Sequence, residues 1–147
     1  MKPCTCPPGL VARYQRRISG PFLDRVDIFV EVPRIEYDKL TDRRLGEPSE
    51  RVQARVAASR LIQTQRFRGT SLLNNAEMTP AEIRQHCRLD DAGQGLLKAA
   101  MKQLNLSARG FHRVLKLART IADLEPAGSI TAPHIAEALQ YRPRRLL

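Results

Sequence analysis

Twenty of the 25 basic residues in this chain are arginines, and two short runs hold arginines in settings where a guanidinium could do chemistry. In Asp24-Arg25-Val26-Asp27 one arginine stands between two acids, just after Ser19-Gly20-Pro21, whose glycine and proline punctuate a helix. An arginine at such an element end can project towards a neighbour, although the same residues also suit a salt-bridged arginine at a domain edge. In the second run Arg109, His112, Arg113, Lys116 and Arg119 recur at three and four residues. That spacing gathers them on one side of a helix, opposite Phe111, Val114, Leu115, Ala118, Ile121 and Ala122. The planar fork of arginine suits bidentate contact with phosphate or carboxylate better than the lysine ammonium does.

Other chemistry is thin. Cys4-Thr5-Cys6 could be half of a four-thiolate zinc site, but two ligands do not close a tetrahedron. His86, His112 and His134 occur singly in helical contexts without metal-ligand spacing, so no metal ligand is assigned. The chain has no G-x-x-x-x-G-K-[ST] phosphate loop, no paired acids after an apolar strand, and no G-x-S-x-G elbow. A complete active site is therefore not expected, and this chain alone is not expected to be an enzyme.

The elements that must position the two runs are mostly helices. Thr5, Pro7, Pro8 and Gly9 precede a basic helical segment from about Leu10 to Ile18, with Arg13, Arg16 and Arg17 outward. Val26, Ile28, Val30 and Val32 alternate with period two, which predicts a strand over 27–32 ending at Pro33. No second strand is predicted, so this one would lack the sheet it belongs to. Charged residues with Pro33, Gly46 and Pro48 predict a linker over 34–48, dividing a segment 1–33 from a helical unit 49–147. In that unit a long helix is expected from Ser49 to Arg68 with Gly69 past its end. Thr79-Pro80-Ala81-Glu82 forms a capping box opening a helix to about Cys87. Asp90 caps a helix containing Leu96, Leu97, Ala100, Met101 and Leu104, with Asn105 as its terminator; Ser107 caps the helix of the second run. Thr131-Ala132-Pro133 opens the last one, with Ile135, Ala138, Leu139 and Tyr141.

Length and charge bound the function. With 147 residues the chain suits one domain, or a small domain with an appendage. No run approaches the roughly 18 apolar residues of a membrane span, and no leader pattern opens the chain. Three cysteines make no disulfide framework, and a cytoplasmic, reducing compartment is expected. The net charge of +10 comes from 14 basic against 8 acidic residues over 1–68, and 11 against 7 over 69–147. A phosphate-bearing partner fits that even spread, and so does a merely solvated arginine-rich surface.

The run from Ser107 to Leu124, preceded by Ser19 to Asp27 and followed by Ile135-Ala136-Glu137-Ala138-Leu139-Gln140-Tyr141-Arg142, resembles the magnesium-chelatase-like AAA+ ATPases. The resemblance is narrowest to their competence-related ComM/YifB type and covers nearly the whole chain, from Cys4 to Arg144. It implies a mainly α chain: a helical bundle acting as AAA+ lid, preceded by a helix-strand remnant of an α/β core. The nucleotide-binding motifs of such an ATPase would lie before Met1. Arg25 falls on the arginine finger, the catalytic guanidinium that reaches the nucleotide of a neighbouring subunit, and Arg109 on the nucleotide-binding sensor 2 arginine. Cys4 and Cys6 resemble half of a paired-cysteine insertion in the family.

What the resemblance implies functionally is a lid and finger segment of a hexameric, DNA-translocating motor. Such an intact ATPase would use ATP and magnesium, bind nucleic acid, act in DNA uptake and recombination, and not enter the membrane. Two other classes stay open: an autonomous basic helical module that binds nucleic acid without hydrolysis, and an interaction module of a metal-chelating complex.

Overall fold

The computed structural model describes residues 4–35 and 46–142, and among them the regular structure is seven α-helices and one 3-10 turn. The helices are α1 (Pro8–Gln15), α2 (Gly20–Leu23), α3 (Ser49–Arg66), α4 (Pro80–His86), α5 (Asp91–Gln103), α6 (Ala108–Leu124) and α7 (Ala132–Gln140), with the 3-10 turn at Asn75–Glu77. The mainly α fold class expected from the sequence is what forms.

Local chemistry accounts for most boundaries. The Asp90 carboxylate accepts the Gly93 N–H at 2.7 Å, and the Ser107 hydroxyl accepts that of Gly110 at 3.1 Å, each satisfying an amide the helix itself leaves unpaired. The expected capping box stands: Glu82 accepts the Thr79 N–H at 2.8 Å while the Thr79 hydroxyl accepts the Ala81 N–H. Helix α5 ends as its asparagine predicted. Asn105 takes a left-handed φ of 47°, and the Leu106 N–H turns back to the Met101 carbonyl at 3.2 Å.

Helix α6 is the centre of the bundle, packing against α3, the 3-10 turn, α4 and α7, while α5 packs against α7. Val114, Leu115, Ala118, Ile121 and Ala122 on α6 join Phe67, Met78, Ile83, Leu97, Ile130 and Ile135 in one buried cluster. Two connecting segments meet beside it through an isolated parallel bridge between Leu89 and Ile130.

Three sequence expectations are corrected. Arg119, expected on the solvated side of α6, is 2% exposed, because its guanidinium turns inward to a buried carboxylate and two loop carbonyls. Ser19-Gly20-Pro21 does more than break a helix. Ser19 accepts the Phe22 N–H at 3.3 Å and starts the one-turn α2, where a proline near the first position is tolerated. The segment 27–32 makes no strand among the described residues; with no partner strand to fill a ladder, its Phe29 N–H goes instead to the Tyr141 carbonyl at 2.9 Å. Ile28, Val30 and Val32 are exposed there, as are Leu10, Tyr14 and Ile18 around α1. Most of the predicted linker falls at 36–45, outside the described residues.

Candidate functional site

The first turns of α6 line an open cleft of about 390 Å³. Arg109, the second residue of the helix, Arg113 one turn on and Lys116 after it all face this space, with His112 beside them. Met78 and Pro80 also line it, and Asp27 is the one acid among the described residues that do. A helix N-terminus already favours negative charge through its unpaired amides and aligned peptide dipoles, and the guanidinium of Arg109 adds to that field. The described lining is thus mainly cationic.

Two of its cations are already engaged. Arg113 pairs with Asp27, and the Lys116 ammonium donates to the Ala76 carbonyl at 2.7 Å. Burial, reinforced by the neighbouring Arg113, holds the Lys116 pKa below its usual value. Arg109 is exposed and is the cation that opens the cleft to solvent.

Arg25 lies elsewhere. It sits in the turn after α2, exposed, its own N–H donating to the Phe22 carbonyl at 2.9 Å, and it does not line the Arg109 cleft. The acids on either side of it do reach α6: Asp24 accepts from the Ser107 hydroxyl at 2.7 Å, and Asp27 pairs with Arg113. The alternative of a salt-bridged Arg25 is thereby redirected, since its flanking acids spend their charge on the bundle. Sequence reasoning did not single out Asp24 or Arg142 as members of this arrangement. The only signal was their position, one beside Arg25 and the other two residues past the last helix.

The sequence profile of the family described as magnesium chelatase, subunit ChlI C-terminal, matches residues 46–142, and that of magnesium chelatase, subunit ChlI, matches residues 1–40. The chain belongs to the magnesium chelatase subunit ChlI family. Within it, the chain is 43% identical over 138 residues to the competence protein ComM of Haemophilus influenzae, a match covering 92% of this chain and 26% of that protein. It is 41% identical to YifB of Escherichia coli K12, over 93% of this chain and 26% of YifB. To the Mycobacterium bovis protein Mb2921c it is 34% identical, over 95% of this chain and 27% of that protein. The chain therefore spans about a quarter of the length of the curated relatives it matches, and the ComM/YifB resemblance expected from the sequence holds.

The remaining candidates of this magnesium-chelatase-family chain play quieter parts. Cys4 and Cys6 are exposed, and hydrogen bonding from the Cys6 backbone and then its thiol lowers the Cys4 pKa. Among the described residues no three His, Cys, Asp or Glu side chains gather where a metal ion could be held. Burial pushes the Cys87 thiol up to about 11, which keeps it protonated and unreactive. His134 is buried as a cap of α7, its Nδ1 accepting the Thr131 N–H at 2.9 Å and its Nε2 lying 2.9 Å from Glu125. No helix among the described residues is long and apolar enough to cross a membrane.

Proposed function

We propose that this chain is the lid and arginine-finger segment of a longer magnesium-chelatase-like AAA+ ATPase, with residues 1–33 belonging to the ATPase core and 49–147 forming the lid. The intact protein is a hexameric motor that translocates DNA during uptake and recombination. The observation that carries the reading is the division of labour between two arginines. Arg109 lines a mainly cationic cleft at a helix start, while Arg25 is exposed on a turn whose flanking acids are held by that same helix.

On this reading Arg109 binds nucleotide phosphate within its own subunit, and Arg25 extends to the nucleotide of the next subunit and stabilises the charge that develops on the transferring phosphoryl group. The donor set of the Arg109 cleft suits a phosphate group. It does not suit magnesium, because Asp27, the one acid among the described residues that line it, is paired with Arg113, so the ion is held by other parts of the ATPase. The name of the Haemophilus relative, a competence protein, supports the link to DNA uptake.

The test is turnover in the full-length ATPase that carries this chain. Arg25→Ala should lower ATP hydrolysis on the order of 1,000-fold, the scale of a trans-acting arginine, and Arg109→Ala should also abolish most of it, with assembly unchanged in sizing experiments. Arg25→Ala subunits should also poison wild-type neighbours in mixed assemblies, because the defect falls on the adjoining site. Wild-type turnover in either variant removes that residue from its role.

A second reading is supported by the exposed Arg13, Arg16 and Arg17 of α1 and the turn after it. Under it the chain is an autonomous module that binds nucleic acid without hydrolysis, and its affinity for DNA falls steeply as salt rises.

A further inference from the structure

The backbone around Arg25 is held to the bundle by Asp24, Ser107 and Arg142, and the last of these has no part in the arginine-finger reading. Asp24 accepts from the Ser107 hydroxyl at 2.7 Å and lies 3.7 Å from Arg142. The carbonyl of Val26, on the other side of Arg25, accepts from Arg142 at 2.8 Å. Arg142 itself is 6% exposed, its guanidinium carbon 6.0 Å from the centre of the Phe29 ring and its Nη2 3.7 Å from where a Cβ on Gly110 would lie. Burying a guanidinium this deeply is costly unless its donors are used, and its Nε–H has no partner among the described residues. Its other donors reach the Val26 carbonyl and Asp24, one on each side of Arg25.

This geometry joins the two arginines. Ser107 does two things with one hydroxyl: its oxygen accepts the Gly110 N–H and so starts α6, and its hydrogen goes to Asp24. Two residues later on α6 comes Arg109. One residue after Asp24 comes Arg25, whose backbone is thus tied to α6 on one side and, through the Val26 carbonyl, to Arg142 on the other.

Resting on the reading of Arg25 as a trans-acting finger, we propose that Asp24, Ser107 and Arg142 form a latch that positions Arg25 relative to the start of the Arg109 helix. They are positioning residues: none of them touches nucleotide. When the latch holds, the Arg25 backbone moves as one body with α6, and only its side chain is left to span the gap to the neighbouring subunit. When it opens, the guanidinium is carried out of register, and a displacement of about 1 Å in such a site costs on the order of 100-fold in rate.

The experiment measures kcat and KM for ATP in the full-length ATPase carrying Arg142→Met, Asp24→Asn, Ser107→Ala or Ser107→Thr, with the melting temperature of each. Methionine keeps most of the Arg142 packing while removing its donors. The expected result is kcat lower by at least about tenfold for Arg142→Met and Ser107→Ala, KM changed by less than about threefold, and kcat restored towards wild type in Ser107→Thr, which keeps the hydroxyl. Combined with Arg25→Ala, Arg142→Met should lower kcat no further, since the latch acts only through the finger. Wild-type kcat in Arg142→Met and Ser107→Ala overturns the latch, and so does a loss that multiplies with that of Arg25→Ala. Should Arg142→Met fail to fold, the partly exposed Asp24→Asn and the Ser107 pair decide the matter alone. If Arg25→Ala itself turns over at the wild-type rate, the finger reading has failed; if only the latch variants do, the finger stands without its latch.

Discussion

Arg66, in the last turn of α3, holds Asp123 of α6 through both carboxylate oxygens, at 2.6 and 2.5 Å. Asp123 is fully buried and also accepts from Arg119 at 3.1 Å and from the Asn75 amide at 2.8 Å. One carboxylate therefore ties α3, the 3-10 turn and α6 together, and Arg119 extends the network to the carbonyls of Ala127 and Gly128 just past the end of α6. The attachment of α3 to the bundle is polar, for its buried residues are Ser59 and Gln63.

Removing that carboxylate should be among the most damaging single changes in the chain. Asp123→Ala leaves Arg66 and Arg119 without their counter-charge, and breaking such a buried group costs about 3–5 kcal/mol. Denaturant unfolding of the 147-residue chain should show a lower midpoint, with α3 losing amide protection from hydrogen exchange before α6 does. An unfolding midpoint equal to wild type would mean that the network is solvated in solution.

The fold should lose stability in acid in two stages. Burial is the main cause holding the His86 pKa below its ordinary 6.5, helped by the nearby Arg66. The unfolded chain then binds more protons at this residue, and its contribution is lost as pH falls from about 6.5 through the folded value. Glu82 is held below its ordinary 4.5 by hydrogen bonds first from the Thr79 hydroxyl and then from the Thr79 backbone N–H. Its contribution is present above about 4.5 and disappears as pH falls through the depressed value. Unfolding free energy measured from about pH 8 to about pH 3 should decline in both windows. His86→Phe should flatten the upper one alone, and Glu82→Gln the lower one alone; unchanged slopes would remove these groups as the cause.

Much of this was legible because it is local. Asp90, Ser107 and the Thr79–Glu82 pair announce helix starts by chemistry that acts within three residues, and Asn105 announces an end in the same way. What could not be read depends on distance along the chain. Arg119 looks like a surface residue on a helical wheel, since nothing within one turn tells that loop carbonyls at Ala127 and Gly128 will meet it. The alternation from Val26 to Val32 carries the period of a strand, but a ladder needs partners, and the hydrogen bond of Phe29 goes to Tyr141 instead. For the candidate site, the spacing of Arg109, Arg113 and Lys116 foretold a shared cationic face. The engagement of Asp24 with Ser107, 83 positions away, did not show in any spacing.

His134 stands where a glutamate or glutamine would complete a capping box, three residues after Thr131. Because its Nδ1 accepts the Thr131 N–H, the proton of the neutral ring sits on Nε2, facing Glu125. His134→Ala removes the acceptor and should cost about 0.5–2 kcal/mol, the range for a lost helix cap. His134→Gln keeps an acceptor of similar reach and should recover part of that loss. Thermal melts of the two variants compare them directly, and equal melting temperatures for alanine and wild type would take the cap out of the stability of α7.

The isolated chain should bind DNA weakly and nucleotide hardly at all. Arg109 offers one guanidinium at a helix start, and the phosphate-cradling loop that would hold the rest of a nucleotide is not in this sequence. DNA meets only scattered arginines, among them Arg13, Arg16 and Arg17. Every phosphate that a protein neutralises on duplex DNA releases counterions, which steepens the fall of log K by about 0.9 per tenfold rise in salt. Titration of the 147-residue chain with a labelled ATP analogue and with single- and double-stranded DNA, at about 50 and about 200 mM salt, should give no ATP signal and DNA binding that vanishes at the higher salt. Tight DNA binding, with a salt slope equivalent to about six or more neutralised phosphates, would instead make the bundle a nucleic-acid module in its own right, with Arg109 holding the DNA backbone.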